Sequence, residues 1–252
     1  MTSIRQYLMF LSNCQTLEEL WKGHCTQMAC YGFDRMIYGF TRYRTATSLG
    51  DPEDFVILTN HSKAYTDFFL GEGHYFNGPM TRWAMDHEGA ASWQLVSDML
   101  RTGAITAAER EIYEFNLKMG VVSGYTISFK SISQRSKGAI ALTARPGMSQ
   151  AEVDAVWDIH GRDIHLMNNI AHLKILTLPY TAPNRALTKR QREALEWVGD
   201  GKTTQDIAVL MGLTAATVEK HLRLARESLA VETTAQAVLK AALQNQMFVM
   251  DA

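Results

Sequence analysis

The sequence predicts an α+β protein in two parts. An N-terminal α-β-α sandwich with an antiparallel sheet is followed by an all-α C-terminal region built around a helix-turn-helix. Three observations predict this. Helical patterns, then strand runs, then one long helical pattern fill residues 1–178. Pro179 and Pro183 then fall within five residues, and strand signals essentially vanish after them. Beyond them, Gly201 to Leu229 holds two short amphipathic patterns joined by Gly212-Leu213-Thr214, the sequence form of two helices meeting at a steep angle. The expected boundaries are a domain over 1–178, a linker over 179–185 and a second domain over 186–252.

In chain order, Ser3 to Leu11 and Thr16 to Tyr31 read as helices, the second with Leu17, Leu20, Trp21, Cys25 and Met28 at three- and four-residue spacing. Arg35 to Tyr43 has the aromatic content of a strand, and Phe55 to Thr59 is a second apolar run. Helical patterns return at Lys63–Leu70 and Met80–Asp86, and between them GEGHYFNGP is too rich in glycine for a regular element. Thr106–Met119 is a helix. Ser123–Lys130 and Ala139–Ala144 are two strands separated by a polar turn, hence a hairpin. A helix from Ser149 to about Leu176 carries Val153, Trp157, His160, Ile164 and Met167 in one stripe. Val156, Ile159, Leu166, Ile170 and Leu173 lie close beside it. So broad an apolar face either packs on the sheet or serves as a dimer face.

Composition narrows the function classes. The chain has 252 residues, a formal net charge of −1, and ordinary apolar and charged fractions, so a nucleic-acid partner must be met by a local patch. The start lacks the apolar core and small-residue cleavage site of a secretory signal, and no run approaches a membrane span. Cys14, Cys25 and Cys30 are odd in number and confined to the first thirty residues, which is no disulfide framework, so a reducing cytoplasm is expected. His24, Cys25 and Cys30 lack the second ligand pair that zinc requires, and no metal or cofactor is expected.

The C-terminal region is the more informative. Thr188 with Gln191 three residues on is a capping-box spacing opening a helix over Lys189–Val198, and Thr203 with Asp206 is a weaker version. In the helix so opened, Ile207, Ala208, Leu210 and Met211 are expected to face inward. Gly212 suits a left-handed exit, and Thr214 caps the third helix. On that helix, at about 100° per residue, Val218, Leu222, Ala225 and Leu229 fall in one narrow stripe. Opposite stand Ala216, Lys220, Arg223 and Glu227, flanked by Thr217, Glu219 and Arg226. A small residue permits close approach, and long basic side chains then reach phosphates and guanine edges. Lys202 and the amides at the helix starts suit phosphate. The plainer alternative is a solvated face, since residues 184–252 carry nine Lys and Arg against eight Asp and Glu. Gly201-Lys202-Thr203 is no phosphate-binding loop, because the glycine needed five residues earlier is Glu196.

The stretch from Leu187 to Ala241 resembles the LuxR-type four-helix DNA-binding domain. The resemblance rests on Leu187-Thr188, Glu193, Gly201-Lys202, Ile207-Ala208, Thr217-Val218, His221, Leu229 and Ala237 at fixed spacing. It implies a homodimer paired in part through a last helix at about Thr234–Gln246, and base contacts from Glu219, Lys220 and Arg223. The full set expected at double-stranded DNA, on a two-fold operator, is Lys202, Thr214, Thr217, Glu219, Lys220, Arg223 and Arg226.

The N-terminal layout resembles the autoinducer-binding domain that precedes such readers. The early acidic residues of a phosphoacceptor receiver are missing. The family frame is a Trp, a Tyr four on, an Asp-Pro pair, a second Trp and a late Gly. Here it falls on Tyr65, Phe69, Gly78-Pro79, Trp93 and Gly124. In the family the first Trp donates to a lactone carbonyl and the Asp accepts an amide hydrogen. Tyr65 retains a donor, but Gly78 offers no acceptor, and leaving a buried amide unpaired costs about 1–3 kcal/mol. The resemblance therefore implies a small-molecule signal, acyl-homoserine-lactone-like or altered, with His61 or Asn77 supplying replacement polarity. Tyr65, Phe69, Trp93, His61 and Asn77 are the expected ligand residues. The three aromatics read equally well as core.

Together these imply a ligand-controlled DNA-binding transcription regulator. One alternative is a regulator of the same type whose pocket is filled by side chains, working without ligand or through a protein partner. An enzymatic N-terminal domain is the remoter alternative, because the sequence has no nucleophile elbow, paired metal ligands or glycine-rich cofactor fingerprint, and no catalytic set is expected.

Overall fold

The computed structural model describes residues 3–45, 48–180 and 185–248, and divides into two compact units, Met1–Leu176 and Thr177–Ala252. Most of the expected linker, residues 181–184, lies outside the described residues.

In the first unit, α1 (Ile4–Asn13) and α2 (Leu17–Ala29) begin at Ser3 and Thr16, whose hydroxyls accept from the backbone N–H of Gln6 and Glu19. Strands β1 (Phe33–Thr41) and β2 (Val56–Thr59) follow. A short α3 (Lys63–Thr66) widens into a single π turn over Asp67–Gly71, so the expected helix through Leu70 is only half α-helical. The glycine-rich stretch contains one 3-10 turn, His74–Asn77, entered through Gly73 at φ 76°. Next come α4 (Pro79–Asp86), β3 (Gly89–Ser92), α5 (Gln94–Thr102), α6 (Ala107–Lys118), β4 (Gly124–Ser128), β5 (Lys137–Ala144) and α7 (Gln150–Ile175). The sequence reading missed β3 and α5. Gly-Ala-Ala-Ser has no β-branched or large residue to mark a strand, and its pairing with β4 is set by tertiary contact.

The strands form one antiparallel sheet ordered β2-β1-β5-β4-β3. Side chains alternate faces along a strand, and here the alternation is also one of size. Met36, Tyr38, Ile140, Leu142, Tyr125 and Ile127 share the face covered by α2 and α7, where Tyr125 stacks on Trp157 at 3.9 Å. The opposite face carries Ile37, Gly39, Thr126, Ala139, Ala141 and Thr143, with Gly39 paired to Ala139 and Thr126 to Ala141. Small side chains on one face of three adjacent strands leave space that the facing helices do not fill.

Two buried histidines stiffen the packed side. Tyr7 donates to His24 Nδ1, and His24 Nε2 donates to Asn168 Oδ1 at 3.1 Å, joining α1, α2 and α7. Tyr38 donates to His172 Nδ1 at 2.9 Å, and His172 stacks on Phe129 at 4.1 Å. Burial pushes both imidazoles down to about 4, with Arg42 adding to the effect at His172. Both are therefore neutral near pH 7.

On α7, Val153, Ile164, Met167, Ala171 and Ile175 are buried, while Ile159, Leu166 and Leu173 are 75%, 46% and 57% exposed. The broad apolar face is thus two stripes, one in the core and one at seven-residue spacing in solvent.

The second unit holds α8 (Lys189–Gly199), α9 (Thr204–Met211), α10 (Ala215–Ser228) and α11 (Thr234–Leu243). Capping boxes at Thr188–Gln191, Thr203–Asp206 and Thr233–Gln236 start three of them. Gly212 at φ 65° ends α9, and Thr214 caps α10. One core gathers Leu195, Ile207, Met211, Val218, Leu222, Ala225, Leu229 and Ala237. Leu210, expected inward, is 50% exposed instead. Ile207, Ala208 and Met211 set the inner face of this two-turn helix, and Leu210 lies roughly 100° around from its centre. Among the described residues, no helix is long and apolar enough to cross a membrane.

Candidate DNA interface and ligand cavity

In the second unit, α10 is anchored through Val218, Leu222, Ala225 and Leu229, all buried, which turns Ala216, Lys220 and Arg223 outward. Thr214 Oγ1 accepts from the Thr217 N–H at 3.2 Å and hydrogen-bonds the Thr217 hydroxyl at 2.9 Å, so these two form the N-terminal shoulder of that surface. Lys202 is exposed just ahead of α9. At the start of α9 the Thr203 hydroxyl accepts from the Asp206 N–H at 3.2 Å, and the Asp206 carboxylate accepts in return from the Thr203 hydroxyl and N–H, which holds Asp206 below the usual carboxylate range.

Three of the expected DNA residues are held by protein partners. Thr204 on α9 donates to Glu219 Oε1 at 2.9 Å, which ties the two helices of the motif together. Arg223 Nη1 pairs with Glu227 Oε1 one turn on, on the exposed face. Arg226, expected at DNA, is half-buried and donates to Thr234 Oγ1 at 2.8 Å, joining α10 to the start of α11. Its angular position on the helix wheel was compatible with either direction, and the nearby Thr234 hydroxyl decides it.

In the first unit, a cavity of about 230 Å³ lies between the small-residue face of the sheet and α3, α4 and α6. Four of the five expected ligand residues line it: His61, Tyr65, Phe69 and Trp93. Tyr65 stacks between His61 at 4.4 Å and Phe69 at 5.3 Å, and its hydroxyl donates to Asn116 Oδ1 at 2.9 Å. Trp93 Nε1 donates to Thr126 Oγ1 at 2.9 Å. Burial, with Arg35 nearby, pushes His61 down to about 4, so the ring beside Tyr65 is neutral. Gly124 sits under Trp93, where a Cβ would meet Leu142 O at 2.2 Å and the indole at 3.1 Å.

Gly78 lines the cavity as the N-cap of α4, with Pro79 at the first helical position. Asn77 does not line it. That side chain is exposed at the end of the 3-10 turn and borders a separate polar groove with Arg44, Arg82, Asp86 and Glu109. Adjacent residues of a turn point in different directions, so proximity to Gly78 in sequence did not place Asn77 in the pocket. The sequence reading missed Asn116, Thr126, Ala139 and Ala141. The signal for the last two was available in Ala139-Ile-Ala-Leu-Thr, a strand alternating small with large. Tyr75 also borders the cavity. Its hydroxyl is buried with no hydrogen-bond partner among the described residues, and burial pushes it up to about 12.

Comparison with known proteins agrees with this division. The family model for the autoinducer binding domain matches residues 16–175, and that for bacterial regulatory proteins of the luxR family matches residues 185–241. The transcriptional activator protein AnoR of Acinetobacter nosocomialis is 23% identical over 217 residues, spanning 84% of this chain and 85% of its own. Among solved structures, Escherichia coli SdiA covers 98% of both chains at 16% identity with a TM-score of 0.53. SdiA in complex with octanoyl-rac-glycerol aligns at the same TM-score over 96% of this chain and 93% of its own, again at 16% identity. The N-acylhomoserine lactone dependent factor CepR2 of Burkholderia cenocepacia aligns with 68% of this chain and 92% of its own, at 13% identity and a TM-score of 0.51. These structures share the fold.

Proposed function

Because the chain belongs to the LuxR family of bacterial regulatory proteins, with an autoinducer-binding domain ahead of its DNA-binding domain, we propose that it is a homodimeric transcription regulator that lays α10 in the major groove under control of a small apolar ligand. The observation that carries this reading is the outer face of α10. Ala216 leaves room for the groove wall, Lys220 reaches phosphate, and Arg223 swings from Glu227 to a base edge. An exposed ion pair is worth only about 0–1 kcal/mol, so releasing Arg223 costs little beside a bidentate base contact worth about 1–3 kcal/mol. Glu219 and Arg226 act inside the domain. Lys202, Thr214 and Thr217 flank the groove.

Two copies are needed to read a two-fold operator, and apolar residues in solvent offer the contact. Ile159, Leu166 and Leu173 recur every seventh residue on α7, and Leu239 is exposed on α11. A cytoplasmic location fits a regulator that must reach DNA.

The cavity supports ligand control. A molecule that fills the cavity of about 230 Å³ removes apolar lining from water and stabilises the fold by mass action. With Gly78 in place of a side-chain acceptor, a ligand must find its polar partners elsewhere in the lining, which includes Tyr65, Asn116, His61 and Tyr75. A second reading, regulation without ligand, is favoured by one observation: Tyr65 and Trp93 already have partners within the protein. A thermal-shift screen separates the two. Stabilisation by acyl lactones or by neutral lipids such as monoacylglycerols supports the receptor. No shift with either, while operator binding persists, supports the ligand-free regulator.

A further inference from the structure

We propose that the ligand of the N-terminal domain is an anion, an apolar body bearing a carboxylate or comparable oxyanion that pairs with Lys137 at one end of the cavity. This inference rests on the reading of that domain as a small-molecule receptor and specifies the charge of what it receives.

The lining carries the first argument. Among the described residues, Lys137 is its one charged side chain, because no Asp, Glu or Arg borders the cavity and His61 is neutral. Ser97, Tyr113, Thr126 and Thr143 add hydroxyls, which can donate or accept and so do not select the sign of a ligand's charge. A lone cation in such a lining favours an anion over a neutral molecule and disfavours a second cation.

Register places that charge. Side chains alternate along β5, and Lys137, Ala139, Ala141 and Thr143 all border the cavity, so its floor follows one strand for about 20 Å. At the Thr143 end the polar groups are neutral: His61 Nε2 lies 3.4 Å from Thr143 Oγ1, and the ring stacks on Tyr65. The middle is apolar, with Gly39 opposite Ala139 and Ile37 opposite Ala141. Lys137, opposite Thr41, stands at the other end. A ligand lying along β5 therefore passes from neutral polar groups, over an apolar floor, to a cation.

The ammonium can turn to a ligand without orphaning its neighbour. Lys137 Nζ donates to the His87 carbonyl at 2.9 Å, and it has no ion pair among the described residues. An ammonium has three donors, so two remain for an oxyanion. The His87 carbonyl also accepts from the Ser128 hydroxyl at 2.7 Å, so it keeps a partner when Lys137 moves. Burial pushes Lys137 below the usual lysine range, with Arg44 adding to the effect, and Glu88 and Asp86 offset only part of it. A carboxylate inside the cavity supplies the counter-charge that those two do not.

Calorimetry on the full-length protein near neutral pH tests the charge, with octanoate, octanamide and octylamine each below its micelle concentration. The three share a chain length and differ in the charge of the head. Octanoate is expected to bind at least about tenfold tighter than octanamide, the scale of a charge-assisted hydrogen bond, and octylamine weaker than either. Lys137→Met keeps the apolar stem and should erase the advantage of octanoate, while Lys137→Arg should retain it, with circular-dichroism melting as the check that both fold. Added salt should also reduce that advantage in the native protein, a measurement that does not depend on any variant folding. Octanoate binding no tighter than octanamide, or an advantage indifferent to salt, overturns the anion and keeps the receptor. An advantage that survives in folded Lys137→Met overturns Lys137 as the partner. Binding of an acyl-homoserine lactone with none of the three probes likewise overturns the anion alone. Failure of the lactone and all three probes overturns the receptor reading, and this inference with it.

Discussion

Thr204 on α9 donates a 2.9 Å hydrogen bond to Glu219 on α10, a contact between the two helices of the helix-turn-helix that uses an acidic side chain flanking the outward face of α10. The charge and the hydrogen bond have opposite consequences. A carboxylate near phosphate repels it, while the bond fixes the angle at which α10 is presented.

Substitution separates these roles. Glu219→Gln keeps an acceptor and removes the charge, so affinity should rise about two- to tenfold on all DNA sequences with specificity unchanged. Glu219→Ala also gains affinity but loses the tie, so the ratio of specific to non-specific binding should fall. Anisotropy titrations on specific and random duplexes at two salt concentrations read both quantities.

Lys220 and Arg223 should differ in kind. Lys220→Ala is expected to weaken binding to every sequence and reduce the salt slope by about 1, the signature of a lost phosphate contact. Glu227→Ala frees Arg223 from its ion pair and should tighten specific binding by no more than about fivefold, because exposed pairs contribute about 0–1 kcal/mol. A change of a hundredfold would mean that Glu227 blocks the arginine.

Acid should destabilise the N-terminal domain through His24 and His172. Each is pushed from about 6.5 to about 4, so the unfolded chain binds the proton first. Their contribution is fully present above about pH 6.5 and is lost as pH falls toward 4. Between pH 6.5 and 5 the loss is on the order of 2 kcal/mol for each histidine. Denaturant unfolding at pH 7, 6 and 5 should show this slope, and it should become shallower in His172→Gln. A midpoint independent of pH over that range would remove both groups from the account.

The cavity should be separable from the fold. Ala141→Leu places a larger side chain into the space above the sheet, so thermal stability should hold or rise while every ligand effect disappears. Tyr65→Phe removes only the bond to Asn116 and should cost about 0.5–1.5 kcal/mol. Differential scanning calorimetry with and without ligand measures both.

The DNA-binding domain was legible because its signals are local. The stripe of Val218, Leu222, Ala225 and Leu229 follows helical period, and the caps at Thr188, Thr203 and Thr214 satisfy amides three residues on. Partners across helices were not legible. Nothing in the spacing of Glu219 or Arg226 names Thr204 or Thr234, because those contacts depend on how α9 and α11 cross α10. In the N-terminal domain, Tyr65, Phe69 and Trp93 were found as aromatics, but the cavity they border exists because Gly39, Ala139 and Ala141 are small on adjacent strands. That is a property of register, visible only once β1 is paired with β5.

The central claim is that Arg223 reads bases on a two-fold site. Selection of bound duplexes from a random pool by the full-length protein tests it most directly. The account predicts an enriched inverted repeat with half-sites about one helical turn apart, and loss of preference at one symmetric pair of positions for Arg223→Ala. The same enriched site, bound equally well by Arg223→Ala, would contradict it.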